Sequence, residues 1–486
     1  MTTAATRAAE YKMLIGGELV ASSTGEWIES VNPANEEVIG YVPAGGKTDI
    51  DHAVSAAAEA FPAWAALDPA RRAAYLRELA VKLRGHQDAL VQLEVADTGN
   101  TIREMERDVE SGASALEYFA GLAMEAKGET IPATTANLHF SLREPFGVVG
   151  RIVPFNHPVM FAASKIAAPL AAGNTVVLKP SEQSPLSSAL FARACQEVFP
   201  AGVVNVVTGF GRTAGDALVR HPDVKRLAFI GSVPTGMAIQ RAAGETSVKA
   251  LSLELGGKNP MIVFPDADLL RALQAAVRGM NFTWQGQSCG STSRLFLHTS
   301  VYDEAVERLA AAVSALRVGD PMDYGSDAGP VNSKRQWEKD LGYVEIAKSE
   351  GARLVAGGGR PDGERFERGY WLSPTVFADV TPGMRIFREE VFGPLLSVIR
   401  WEDTDEVIEM ANAVEYGLTA AIWTNDLRTA LTTARRVQSG YVWINGSSAH
   451  FRGTSFGGKK NSGTGTEEGL DELLSYTESK TIHVML

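Results

Sequence analysis

The 486-residue chain is too long for one ordinary hydrophobic core, so two or three domains are expected. Its 46 Lys and Arg against 58 Asp and Glu leave a formal charge of −12, which argues against a nucleic-acid partner where no dense basic run intervenes. Two cysteines, Cys195 and Cys289, give no disulfide framework, and eight scattered histidines give no metal-ligand spacing.

Residues 1–11 lack the apolar stretch of a leader peptide, and the alanine-rich run 159–172 is broken by Lys165 and Pro169, so it cannot span a membrane. A soluble cytoplasmic protein is expected. Residues 12–43 alternate turn signals, such as Gly16-Gly17 and Asn32-Pro33-Ala34-Asn35, with β-prone pieces that predict hairpins. From 47 to 127 the pattern is helical, with Leu76, Leu79 and Leu83 on one face. Arg71-Arg72 and, later, Lys459-Lys460 read as solvated pairs. Residues 129–143 alternate partially and predict a hairpin excursion.

Six short apolar runs follow, at 147–153, 175–178, 203–207, 227–229, 248–253 and 261–264, several of them separated by helix-like segments. They predict one open parallel sheet with helices on both faces, whose ligand sits at the carboxyl ends of the strands. A second α/β unit follows, with strands at 295–298, 395–401, 419–423 and 441–444, and Cys289 stands near its start. The final run, 476–486, is β-prone and apolar and requires a partner strand.

Three stretches carry chemistry. In Phe282-Thr283-Trp284-Gln285-Gly286-Gln287-Ser288-Cys289-Gly290, glycines leave the thiol unshielded and backbone N–H groups near it. A free thiol ionises near pH ~8.5, so a nucleophilic one needs a dipole or a base. Leu253-Glu254-Leu255-Gly256-Gly257-Lys258 places a carboxylate at the end of an apolar strand, a setting that desolvates it. In Pro154-Phe155-Asn156-His157-Pro158, Asn156 is held in a rigid turn with a side-chain N–H to donate. The nucleotide signals are weaker. Gly209-Phe210-Gly211 continues to Gly215, one place late for the usual dinucleotide fingerprint. Ser232 can cap a helix whose first turn holds Pro234, leaving N–H groups for a phosphate. Lys179-Pro180-Ser181-Glu182 can grip ribose hydroxyls, and Glu182 would repel a 2′-phosphate, favouring NAD; Lys179 keeps NADP possible.

Taken together, Phe282-x-x-x-Gly286-Gln287-x-Cys289 and Leu253-Glu254-Leu255-Gly256-Gly257-Lys258 resemble the paired signatures of the NAD(P)-dependent aldehyde dehydrogenase superfamily. The likeness runs from about Gly16 to the C-terminus. It implies an α/β chain with a Rossmann-type cofactor domain (1–124 and 145–256), a second α/β catalytic domain (257–460) and small β oligomerisation pieces (125–144 and 470–486). It further implies a homodimer or homotetramer that oxidises a small-molecule aldehyde to the acid through a cysteine thiohemiacetal and thioester. The roles implied are Cys289 as nucleophile, Glu254 as base and Asn156 as oxyanion donor. Cofactor contacts would come from Ile152, Val153, Pro154, Phe155, Lys179, Ser181, Glu182, Gly211, Gly215, Phe229, Gly231, Ser232, Leu255, Gln336, Glu390 and Phe392, with Lys339 in a looser pattern. Substrate contacts would come from His157, Phe161, Trp443 and Phe451, with His450 beside them. Ile230, Phe155, His157 and Ser455 depart from the commoner family wording without removing a catalytic group. The alternatives are a CoA-acylating dehydrogenase, against which Glu254 argues, a cysteine hydrolase without cofactor, for which no histidine base is signalled, and a catalytically silent NAD-binding protein on the same fold.

Overall fold

The computed structural model describes residues 8–486; residues 1–7 of the stretch searched for a leader lie outside the described residues. The opening turns make two antiparallel pairs, Met13–Ile15 with Glu18–Val20 and Trp27–Val31 with Val38–Pro43. Four helices follow, Lys47–Ala65, Pro69–Gly85, Gln87–Thr98 and Ile102–Leu122, and they bury Leu76, Leu79 and Leu83.

An eight-stranded sheet takes five parallel strands in the spatial order Ala250–Glu254, Val224–Ile230, Val148–Ile152, Thr175–Lys179 and Val204–Val206. The Met13–Ile15 hairpin extends one edge antiparallel, and Gly463–Thr464 extends the other beside Glu254. The β-branched runs are buried on both faces, as a parallel sheet covered by helices requires.

The run at 261–264 corrects the sequence reading. Pro260–Val263 belongs to a second, seven-stranded sheet, between Arg294–His298 and Thr419–Trp423. The Gly256-Gly257 turn after Glu254 carries the chain out of the first sheet before the next strand begins, and strand composition alone does not encode which sheet it joins. The outer strands of that sheet are Arg353–Ala356 and Tyr441–Ile444.

A second correction concerns Arg72, which is buried rather than solvated. Its guanidinium donates to the carbonyls of Ala171 (3.1 Å), Ala65 (3.3 Å) and Leu67, so one cation serves the carbonyl ends of two helices, Pro158–Ala171 and Lys47–Ala65.

The C-terminal run finds its partner in the predicted excursion. Thr477–Met485 pairs antiparallel with Asn137–Pro145, which also pairs with Thr130–Ile131. Before reaching that sheet the chain ties, at Ser462, the end of the first large sheet to the short strand Tyr416–Gly417 that leads into Thr419–Trp423 of the second. The Ser462 hydroxyl donates to the Gly256 carbonyl (2.7 Å) and accepts from the Gly417 N–H (2.9 Å), while its carbonyl accepts from the Leu255 N–H (2.9 Å). Among the described residues no helix is long and apolar enough to cross a membrane.

Candidate active site

Cys289 reaches the end of the first sheet through a tight reversal. The helix Leu269–Gly279 stops, Asn281 and Gln285 take left-handed backbone at φ +56° and +51°, and Gly286 follows at φ +68°. A Cβ on Gly286 would meet the Gly393 carbonyl oxygen at 2.2 Å, so only glycine fits this turn. The result is a partly exposed thiol whose backbone N–H makes no hydrogen bond among the described residues.

Glu254 is the last residue of Ala250–Glu254 and is buried, and its carboxylate interacts with the Cys289 thiol. Its Oε1 has no hydrogen-bond partner among the described residues. Burial, reinforced by the charge of Glu467, pushes the Glu254 carboxyl up to about 8; contact with Cys289 opposes the rise. Burial first, then the neighbouring Glu254 charge, raises the thiol well above its ordinary range, so the resting sulfur keeps its proton.

Asn156 completes the group. Its Nδ2 donates to the Gln287 carbonyl at 2.9 Å, two residues before Cys289, and the second hydrogen on that nitrogen is unspent. Its own carbonyl accepts from Asn100 Nδ2 at 3.0 Å, which fixes the turn.

These three residues open onto a cleft of about 1070 Å³. Every residue expected to touch the cofactor lines it, from Ile152–Phe155 at one strand end through Lys179, Ser181 and Glu182 at the next, to Gly211, Gly215, Phe229, Gly231, Ser232 and Leu255, and across to Gln336, Glu390 and Phe392. Lys179 Nζ pairs with Glu182 Oε2 at 2.9 Å, and Glu182 Oε1 accepts from the Gly211 N–H at 3.4 Å. Ser232 caps the helix Val233–Ala243 but turns its hydroxyl to Thr235 Oγ1 (3.0 Å), leaving the first-turn N–H groups unspent by its side chain. Glu390 accepts from the Gly257 N–H at 2.9 Å. A Cβ on Gly256 would come within 2.1 Å of Glu390 Oε2, so the glycine pair seats that carboxylate. Gln336 Nε2 donates to the carbonyls of Val391 (3.0 Å) and Phe392 (3.2 Å), and Phe392, at φ +60°, meets Phe155 edge-on at 5.8 Å. Lys339 Nζ donates to the Glu390 carbonyl at 3.2 Å. A helix start for the pyrophosphate, a carboxylate at a strand end for a ribose and an aromatic wall suit a dinucleotide of this length.

The expected substrate residues separate. Phe161 lines the cleft. His157 lies one ring behind it, its Nδ1 2.7 Å from Asp108 Oδ2 and its ring packed on Phe161 and Trp284 at 5.5 and 5.4 Å. Trp443 is buried, with Nε1 donating to the Ala449 carbonyl at 2.7 Å. His450 pairs with Glu468 at 3.0 Å, and Phe451 is 62% exposed on the outside.

Sequence reasoning missed a buried ionic cluster behind Glu254. Glu467 pairs with Arg151 Nη2 at 3.1 Å and Lys165 Nζ at 2.7 Å, and Arg151 Nη1 donates to the Tyr476 hydroxyl at 2.7 Å. These contacts span more than 300 positions, and no local pattern announces them. Arg212, Ser333 and Arg335 also line the cleft. Ser333 accepts from the Gln336 N–H as a helix cap, so a Ser three residues before the quoted Gln336 was the available signal.

Comparison with known proteins closes the case. Residues 19–482 match the model of the aldehyde dehydrogenase family. The aldehyde dehydrogenase tropH of Talaromyces stipitatus is 46% identical, covering 94% of this chain and 90% of that one. The chloroplastic betaine aldehyde dehydrogenase of Beta vulgaris is 42% identical, covering 94% of each. Among solved structures, the NAD+ complex of the aldehyde dehydrogenase from Bacillus cereus superposes with a TM-score of 0.95 at 41% identity, covering 98% of this chain and 97% of that one. The chain therefore belongs to the aldehyde dehydrogenase family and is an NAD-dependent, aldehyde-oxidising enzyme.

Proposed function

We propose that the product is the carboxylic acid, formed through a thioester on Cys289 with Glu254 as base and Asn156 as oxyanion donor. The observation that carries this reading is that Cys289, Glu254 and Asn156 line one cleft, with one N–H of the Asn156 amide unspent. Ionised Glu254 takes the thiol proton as Sγ bonds to the carbonyl carbon. The carbonyl oxygen gains the charge, and the Asn156 Nδ2–H and the free Cys289 N–H are the donors to hold it. NAD, which Lys179, Glu182, Ser232, Glu390 and Phe392 would hold in the cleft, would supply the hydride acceptor that lets the adduct on Cys289 become a thioester. Glu254, once its proton has passed to solvent, deprotonates a water; that water adds to the thioester carbon, the C–S bond breaks, and Cys289 recovers its proton. A base with a raised proton affinity suits this second half at mildly alkaline pH.

Lys179 and Glu182 support ribose binding and a preference for NAD over NADP. The sheet of Thr130–Ile131, Asn137–Pro145 and Thr477–Met485 supports assembly as a homodimer or homotetramer: one long edge is unpaired, and Leu138 and Leu142 are exposed on one face. The division into a cofactor domain (1–124 and 145–256), a catalytic domain (257–460) and oligomerisation pieces, with a cytoplasmic setting, completes the reading.

The test is a panel of aldehydes followed by NADH absorbance, with Cys289→Ser as the control and products analysed with and without CoA. The expected result is NADH and free acid without CoA, and none from Cys289→Ser. NADH formation that depends on CoA and ends in acyl-CoA would overturn the hydrolytic step.

A further inference from the structure

The register of the small sheet places His483 directly opposite His139. Their Nδ1 atoms lie 2.8 Å apart and their rings meet at 4.8 Å, 68° from parallel. His483 is exposed and His139 half-buried, so solvent reaches the pair. Side chains alternate across a strand, which puts both imidazoles on the face opposite Leu138, Phe140 and Leu142. Pairing continues beyond them, since the Leu486 N–H donates to the Ala136 carbonyl at 2.9 Å, and this holds the His483 backbone in place.

The separation is short enough for one ion to bridge the two rings. Two imidazole nitrogens bound to one ion at ~2.0 Å sit about 2.8 Å apart when cis in a square plane, and about 3.3 Å apart in a tetrahedron. The observed 2.8 Å is the length of the N–H···N hydrogen bond between the rings, and it leaves both nitrogens within reach of one ion. We propose that His139 and His483 form a two-imidazole site for a square-planar divalent cation, Cu²⁺ or Ni²⁺, that clamps the C-terminal strand to its neighbour. The cation displaces the hydrogen the two Nδ1 atoms share, which passes through solvent to the Nε2 of the ring that carried it, so that both rings are neutral Nε2–H tautomers and each Nδ1 presents its lone pair to the metal. Among the described residues no group of three or more His, Cys, Asp or Glu is placed to hold a metal, so the remaining positions fall to water or to the flanking Asn137 and Met485. The ligands stand 344 positions apart, which is why no His-x-x-x-His spacing announces them and why a clip here restrains most of the chain.

The test uses tag-free full-length protein carrying Cys289→Ser, so that the thiol neither binds nor reduces copper. Calorimetry with Ni²⁺ is expected to give one ion per chain, with affinity at least tenfold weaker in His139→Gln and, separately, in His483→Gln. His298→Gln, in the second sheet, is expected to leave it unchanged. Electron paramagnetic resonance with Cu²⁺ is expected to show two coupled nitrogens, falling to one in either variant. Ni²⁺ is expected to raise the thermal midpoint of the parent but of neither variant, and the metal-free midpoints report whether a variant disturbs the strand itself. Unchanged Ni²⁺ affinity in both single variants, or no saturable binding of either ion below millimolar, overturns the proposal.

Discussion

Two carboxylates lie within reach of each other's charge, one at the end of Ala250–Glu254 and one in the segment leading to the last strand, and their surroundings drive them in opposite directions. Glu254 has no cation against it, so burial raises it to about 8. Burial alone would raise Glu467 too, but Lys165 and Arg151 hold it far below its ordinary range. The difference teaches that burial raises a carboxyl here unless cations sit directly against it, as Lys165 and Arg151 sit against Glu467.

Replacing each carboxylate sharpens the contrast. Glu254→Gln, losing the proposed base for both halves of the reaction, is expected to slow the single-turnover burst of NADH and steady-state turnover alike by about 10²–10⁴-fold, read by rapid-mixing absorbance. Glu467→Gln leaves two buried cations uncompensated and is expected to cost about 3–5 kcal/mol in denaturant unfolding. The freed positive charge should also move the alkaline rise in activity to lower pH. Asn156→Ala removes one oxyanion donor and is expected to raise the barrier by about 2.7–4 kcal/mol, seen in kcat with KM little changed.

The pH responses separate the two groups further. As the proposed base Glu254 must be ionised to act, so thioester hydrolysis is expected to climb as pH rises through about 8, and a hydrolytic rate already at its plateau at pH 6 would contradict the raised value. For stability the signs are opposite. Glu254 is raised above its ordinary 4.5, so its contribution is complete below that value and is lost as pH climbs toward about 8. Glu467 is depressed, so its contribution is present above 4.5 and is lost as pH falls. Thermal melts of Glu254→Gln are therefore expected to narrow their gap from wild type, or exceed it, above pH 8. This is the smallest of the expected effects.

Much of the architecture was legible because local rules encode it. Hairpins at the opening glycines, four helices with spaced leucines and short β-branched strands all follow from turn chemistry and periodicity. The proposed nucleophile, base and oxyanion donor were readable because each sits in a short stretch with its own glycine or proline punctuation. What was not legible depends on distant partners. The sheet chosen by Pro260–Val263, the burial of Arg72 against two helix ends, the Asp108 carboxylate behind His157 and the cations around Glu467 are all decided by residues far away in sequence. A charged residue in a one-dimensional pattern looks solvated until its counterpart is found.

Ser462 carries one last implication. Any jaw-like parting of the two large sheets would break one of the hydrogen bonds of a buried hydroxyl, because Gly256 follows a strand of the first sheet and Gly417 leads into a strand of the second. That hydroxyl therefore couples the turn after Glu254 to the chain leading into Thr419–Trp423, and separating the two costs a buried hydrogen bond.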